Sequence, residues 1–130
     1  MLLKYHLKEV PTTVQYLNAL SNLDASKRPK PPYCKLLKLQ YLRPNHTITA
    51  KTVSQELNMA VLAINGYYGR LGHWLADEIG IRPSQREGGG YRWWCVLSSG
   101  ETQNGLFQWQ MYTELANAVE QFGILETTII

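Results

Sequence analysis

Apolar residues recur at helical spacing most plainly between Thr47 and Gly80, TITAKTVSQELNMAVLAINGYYGRLGHWLADEIG. Ala50, Val53 and Leu57 fall at i, i+3 and i+7, one face of a short helix, with Lys51, Ser54 and Gln55 turned away. Thr49 is placed to cap its start, because a threonine hydroxyl accepts from a backbone N–H two or three residues on. Asn58 is placed to end it in a left-handed conformation. A longer helix follows, with Ala60, Ile64, Tyr67, Leu71, Leu75 and Ile79 as its buried stripe and Asn65, Arg70, His73 and Asp77 outside it. Two such helices around a tight turn form a helix-turn-helix, and a polar face on the second is a shape that meets a DNA groove.

The long helix carries Gly66, Gly69 and Gly72 at a spacing of three. Each costs on the order of 1 kcal/mol relative to alanine inside a helix, so the run requires a reason. Either a neighbouring element packs closely on a strip without Cβ atoms, or a phosphate approaches the bare backbone. Close packing is the favoured reading, with a bend near Gly66.

Elsewhere the pattern is shorter. Residues 1–10 suit an edge strand or a helix start equally. From Pro11 a helix is expected, capped by Thr12 or Thr13, with Val14, Leu17 and Leu20 at helical spacing. Ser21 to Pro32, SNLDASKRPKPP, reads as a basic loop whose three prolines stop any helix. Tyr33 to Leu42 is a helix with Leu36, Leu37 and Leu39 inward and Lys35 and Lys38 outward, broken by Arg43-Pro44-Asn45-His46. After Gly80, IRPSQREGGG is a polar loop holding Arg82 and Arg86. YRWWCVL then reads as a strand, SSGETQNG as a turn, and LFQWQMY as a second strand in which Phe107, Trp109 and Met111 alternate with Gln108 and Gln110. Thr113 is expected to cap a last helix through Phe122, with Leu115, Ala118, Val119 and Phe122 inward, ended by Gly123. The tail LETTII reads as frayed or strand-like, partly a partner surface. The order α-α-α-β-β-α predicts an α+β fold of winged helix-turn-helix type. It is a single domain over 1–130: an N-terminal helix and basic loop (1–32), a helical part with the helix-turn-helix (33–80), and a hairpin and closing helix (81–130).

Composition supports a packed domain, since 45% of the 130 residues are apolar. No apolar run reaches membrane-spanning length, and MLLKYHLKEV lacks a secretory apolar core, so a cytoplasmic location is expected. Cys34 and Cys95 are isolated, and such thiols are usually small buried hydrophobes, although one disulfide stays open. His6, His46 and His73 are scattered, and no metal or other cofactor is expected. Charge is uneven: residues 1–51 hold nine basic and two acidic side chains, residues 52–130 four basic and eight acidic. A basic front and an acidic back suit a protein that lays one side on a polyanion, though surface lysines also serve solubility alone.

Enzymatic readings find little support. Ser98-Ser99-Gly100 lies in an expected hairpin turn and not in a strand-to-helix elbow. Gly88-Gly89-Gly90 precedes a strand, whereas a phosphate-cradling loop opens a helix. Asp77 and Glu78 are neighbours on a helix and point about 100° apart, which does not make an acid–base pair. A non-catalytic protein is expected. Of the four tryptophans, Trp74, Trp93, Trp94 and Trp109, most read as core. Trp93 and Trp94, as strand neighbours, should face opposite ways and leave one ring able to stack on a base or fill a partner pocket.

TITAKTVSQEL, INGYYGRLGHWLADEIG, YRWWCVLSSGE and FQWQMYTELANAVEQFGI together resemble a small winged-helix-like DNA-reading domain. That domain is found alone or fused to HNH-type endonucleases in bacterial restriction and defence proteins. The resemblance runs from Thr49-Ala50 through Tyr68-Gly69-Arg70-Leu71-Gly72, the region of Trp93-Trp94 and Trp109, and the helix from Glu114 to Phe122, about the last two thirds of the chain. It implies a DNA-reading module of a defence or mobile-element system, with base modification among the features it could sense. It carries no reaction, for the chain holds neither a His-Asn-His constellation nor a PD-(D/E)xK arrangement.

The DNA-binding candidates are therefore Asn65 for adenine, Arg70 for guanine or a phosphate, and Thr47, Thr49 and Lys51 for a phosphate, with His73 beside them on the long helix. Lys27, Arg28 and Lys30 would track a strand, with Arg86 in the glycine-rich loop. The hairpin tip, Glu101 to Asn104, would be the wing, and its lack of a basic residue argues against a deep contact there. The expected partners are double-stranded DNA and a nuclease or other defence protein. The alternative is a protein-interaction module on the same fold, such as a phage-encoded inhibitor of anti-CRISPR or anti-restriction type or a defence-complex adaptor, using the aromatic hairpin and the acidic back.

Overall fold

The computed structural model describes residues 4–25 and 33–123. Lys27, Arg28, Lys30 and the tail from residue 124 lie outside the described residues. Within them the fold is α+β, with five helices and a four-stranded antiparallel sheet: β1 (Lys4–Tyr5), α1 (Thr13–Ala25), α2 (Tyr33–Leu42), β2 (Thr47–Thr49), α3 (Ala50–Leu57), α4 (Val61–Ile79), β3 (Ser98–Gln103), β4 (Leu106–Met111) and α5 (Thr113–Phe122). Four helices precede the hairpin, one more than the expected order counted. The strand order is β1-β3-β4-β2.

Local chemistry sets most helix ends. At α1, Thr12 Oγ1 accepts from the Gln15 N–H at 3.1 Å and Gln15 Oε1 accepts from the Thr12 N–H at 2.9 Å, a reciprocal box that satisfies two orphan donors. Thr49 caps α3 by accepting from the Thr52 N–H, and Asn58 ends it at φ 54°. Gly80 and Gly123 close α4 and α5 in the same left-handed region. α5 departs from expectation: Tyr112, not Thr113, occupies the cap position, and its side chain gives the helix no cap bond. The Tyr112 hydroxyl instead donates to the Cys95 carbonyl at 2.9 Å and accepts from the Leu7 N–H at 3.0 Å.

Three expected faces shift, on α1 and α4 because a tyrosine buries its ring and satisfies its hydroxyl internally, and on α2 because a glutamine buries its amide in the same way. On α1 the buried stripe is Tyr16, Ala19, Leu20 and Leu23, while Val14 points to solvent. Tyr16 donates to the Val96 carbonyl at 2.7 Å. On α4 the stripe is Ile64, Tyr68, Leu71, Gly72, Leu75 and Ala76. Tyr67 is only half-buried, Ile79 likewise, and Ala60 is exposed. The helix runs from Val61 to Ile79 as one element. On α2 the fully buried Gln40 joins Leu36 and Leu37, and Leu39 is half-buried.

The hairpin is displaced along the chain. Trp93–Val96, expected in a strand, forms a single 3-10 turn against α4. The first strand is instead SSGETQ, expected as a turn, and the reversal is Asn104-Gly105, with φ 52° and 79°. A two-residue hairpin turn of type I′ needs positive φ at both positions, which asparagine and glycine tolerate. Glu101 to Gln103 therefore lie within β3 and not at the tip. Ser98, Ser99 and Gly100 hold a central strand despite low strand propensity, since β1 and β4 bond both edges and β4 pairs Ser98 with Met111 and Gly100 with Trp109.

Beneath the sheet, Gln40 Nε2 donates to Ser98 Oγ at 3.0 Å, to the Trp109 carbonyl at 3.2 Å and to the His46 carbonyl at 3.2 Å. Tyr68 donates to Gln40 Oε1 at 2.5 Å and its ring stacks on Trp109 with centroids 4.1 Å apart. This network fastens α2, α4, β3 and β4 to one another. Burial pushes the Tyr68 phenol well above its ordinary pKa, against the pull of the hydrogen bonds from Ser98 and Gln40.

Candidate nucleic-acid interface

A cleft of about 680 Å³ opens between α4, the hairpin and the 81–92 loop. Its helical wall is the exposed side of α4. A Cβ at Gly66 or Gly69 would meet no atom within 4 Å, whereas one at Gly72 would stand 2.0 Å from the Trp93 carbonyl oxygen. Close packing thus accounts for Gly72 alone. Gly69 lines the cleft beside Asn65, and Gly66 bares the turn between them to solvent.

The loop forms a second wall. Gly88, Gly89 and Gly90 all have positive φ, a run that only glycine sustains, and they return the chain so that the Arg86 N–H reaches the Gly90 carbonyl at 2.9 Å. Arg86 itself is exposed, and its guanidinium has no side-chain partner among the described residues. Arg92 acts differently. It donates to Ser84 Oγ at 3.1 Å and the Gln85 carbonyl at 2.6 Å, and its guanidinium lies 4.4 Å from the Tyr5 ring centre. It therefore clamps the loop to β1.

The third wall is aromatic. In register across the sheet, Tyr5, Gly100 and Trp109 share the inner face. A side chain at Gly100 would collide with the Trp94 and Phe107 rings, which would stand 2.5 and 2.6 Å from its Cβ. Trp94 meets Tyr5 and Phe107 edge-to-face at 5.9 and 5.3 Å. Trp93 and Trp94 do not face opposite ways: on a 3-10 turn neighbours diverge by about 120°, and both half-buried rings line the cleft. Phe107 stays 37% exposed, whereas Trp109 and Met111 on the same strand face are buried.

Of the sequence candidates, the structure brings Asn65 and Arg86 to this cleft. Arg70 is exposed on α4 but lies roughly 140° around the helix from Asn65, near the Tyr33 hydroxyl at 3.3 Å. His73 is half-buried and committed: it stacks on Trp93 at 3.8 Å and pairs with Asp77 at 3.5 Å, and Asp77 also holds Arg82 at 3.2 Å. The Thr49 hydroxyl is spent on its cap and on Thr52 Oγ1, at the edge of a separate shallow groove with Thr47 and Gln108. Lys51 is exposed beside it, and nearby Arg43 is paired with Glu56 at 2.8 Å. Tyr5, Tyr91, Arg92 and the open state of Phe107 are additions that sequence reasoning did not supply.

Cys34 and Cys95 are unbridged, and burial pushes both thiols above their ordinary pKa. No group of three His, Cys, Asp or Glu among the described residues could hold a metal ion, and no helix among them is long and apolar enough to cross a membrane. Comparison of the chain with models of known families, with curated proteins and with solved structures gives no match.

Proposed function

We propose that the protein is a non-catalytic, double-stranded-DNA-binding domain of winged helix-turn-helix type, serving a bacterial or phage defence or mobile-element system. The order of elements supports the fold: a strand leads directly into α3, a three-residue turn into α4, then the hairpin, with β2 pairing on β4. The observation that carries the function is the exposed side of α4, where Asn65 and Gly66 face solvent and a Cβ at Gly66 would meet no atom within 4 Å. Lys51 and Arg86 add exposed cations with no salt-bridge partner among the described residues.

Affinity for a labelled duplex should fall steeply between two salt concentrations, because each phosphate contact releases counterions. Charge reversal at Lys51 or Arg86 should weaken it on plain and methylated duplexes alike. Duplex affinity indifferent to both salt and charge reversal rejects the reading.

One observation favours the alternative, a protein-interaction module such as a phage-encoded inhibitor or defence-complex adaptor. Leu62 is 84% exposed and Val61 42% exposed on the first turn of α4, where a groove-reading helix would carry polar groups. That reading expects a protein to co-purify with the domain through nuclease treatment.

A further inference from the structure

We infer that the cleft between α4 and the hairpin receives one unstacked nucleotide of a DNA strand, its base against Phe107 and Trp94 and its phosphate on Arg86. The inference rests on the DNA-binding reading and specifies what enters this one site.

Size limits the occupant first. A cleft of about 680 Å³ falls within the ~300–1,000 Å³ range of small-ligand sites and cannot admit a duplex, so only a residue that has left the base stack fits. The wall chemistry then points to a base with its phosphate. Phe107 is exposed at an inner-face position whose neighbours Trp109 and Met111 are buried, which leaves an aromatic surface for a planar ring. Asn65 offers an amide that both donates and accepts, and Glu87 offers acceptors, the groups that read base edges. Arg86, free of side-chain partners among the described residues, supplies the planar fork suited to a phosphate. Gly69 keeps the floor open, since any side chain there would project into the cleft.

The full chain is titrated with four labelled probes: a paired duplex, the same duplex with one bulged adenosine, the same bulge lacking its base, and the corresponding single strand. The bulged adenosine should bind at least about tenfold tighter than the paired duplex, because its unstacking is already accomplished, and the abasic bulge should show no such gain. A single strand matching the bulge identifies single-stranded DNA as the source of the nucleotide; a weaker one identifies a base extruded from a duplex. Gly69→Leu should erase the preference for the bulge while leaving the melting temperature no lower, and Phe107→Ala should reduce it. Equal binding of paired and bulged duplexes, or an abasic bulge as good as the intact one, overturns the inference and leaves the DNA reading standing. No binding of any probe ends both.

Discussion

The carbonyl oxygen of Trp93 stands 2.0 Å from the point that a Cβ on Gly72 would occupy, so the 3-10 turn lies directly on the backbone of α4. Both parties are main chain, which cannot rotate aside as a side chain would. Gly72→Ala should therefore destabilise the protein by about 3 kcal/mol or more, the upper end of overpacking costs. Gly69→Ala meets open space and should stabilise it by up to ~1 kcal/mol through helix propensity. Denaturant melts of the two variants decide, and equal effects would show that the seam is not where the structure puts it.

The Gln40, Tyr68 and Ser98 triangle is the polar centre of an otherwise apolar core. Tyr68→Phe keeps the ring on Trp109 but removes the donor to Gln40 Oε1 and one of the two partners of Ser98 Oγ, which still accepts from Gln40 Nε2. Leaving buried polar groups unpaired costs about 1–3 kcal/mol, and that loss is the expected outcome. Ser98→Ala combined with Tyr68→Phe should cost less than the sum of the two single changes, because they share one network. Strict additivity would deny the coupling.

What the sequence disclosed here follows from where each constraint resides. Thr49 and Asn58 act within one helical turn of themselves, so α3 is bounded by local chemistry, whereas α4 starts without a side-chain cap and Ala60, expected on its buried stripe, is the exposed residue before it. β3 was hidden because serine and glycine gain their strand from Gln40, Tyr68 and the rings over Gly100, all remote in the chain. Trp93–Val96 misled in the opposite sense: its residues favour strands, yet burying them against α4 wound them into a turn. Asn65 and Arg86 were recognisable as polar groups on a helix and a loop. That they share a cleft depends on the glycine turn at residues 88–90, which periodicity does not encode.

Alkaline conditions should unfold the protein cooperatively. Burial raises the phenols of Tyr16, Tyr68 and Tyr112 well above the ordinary value of 10.0, so they stay neutral in the fold while the unfolded chain ionises. Their contribution is fully present below pH 10 and is lost as pH rises towards the folded values. Above pH 10 each phenol should remove about 1.4 kcal/mol of stability per pH unit. Unfolding followed by tyrosinate absorbance should release close to three protons together, and gradual ionisation without unfolding would contradict the burial of these rings.

Leu62 separates the two functional readings. At 84% exposure it supports nothing in the fold, and Leu62→Arg should change stability by no more than about 0.5 kcal/mol. If the first turn of α4 faces DNA, the new guanidinium gains one phosphate contact: duplex affinity rises at low salt, and the dependence of log affinity on log salt steepens by about 0.9. If Leu62 and Val61 are instead the apolar anchor for a protein, the same change buries a charge in that interface and the partner dissociates, while any duplex binding keeps its salt slope. An unaltered slope therefore removes α4 from the DNA contact even where some duplex affinity remains, because a cation added to a groove-facing turn cannot leave the counterion count unchanged.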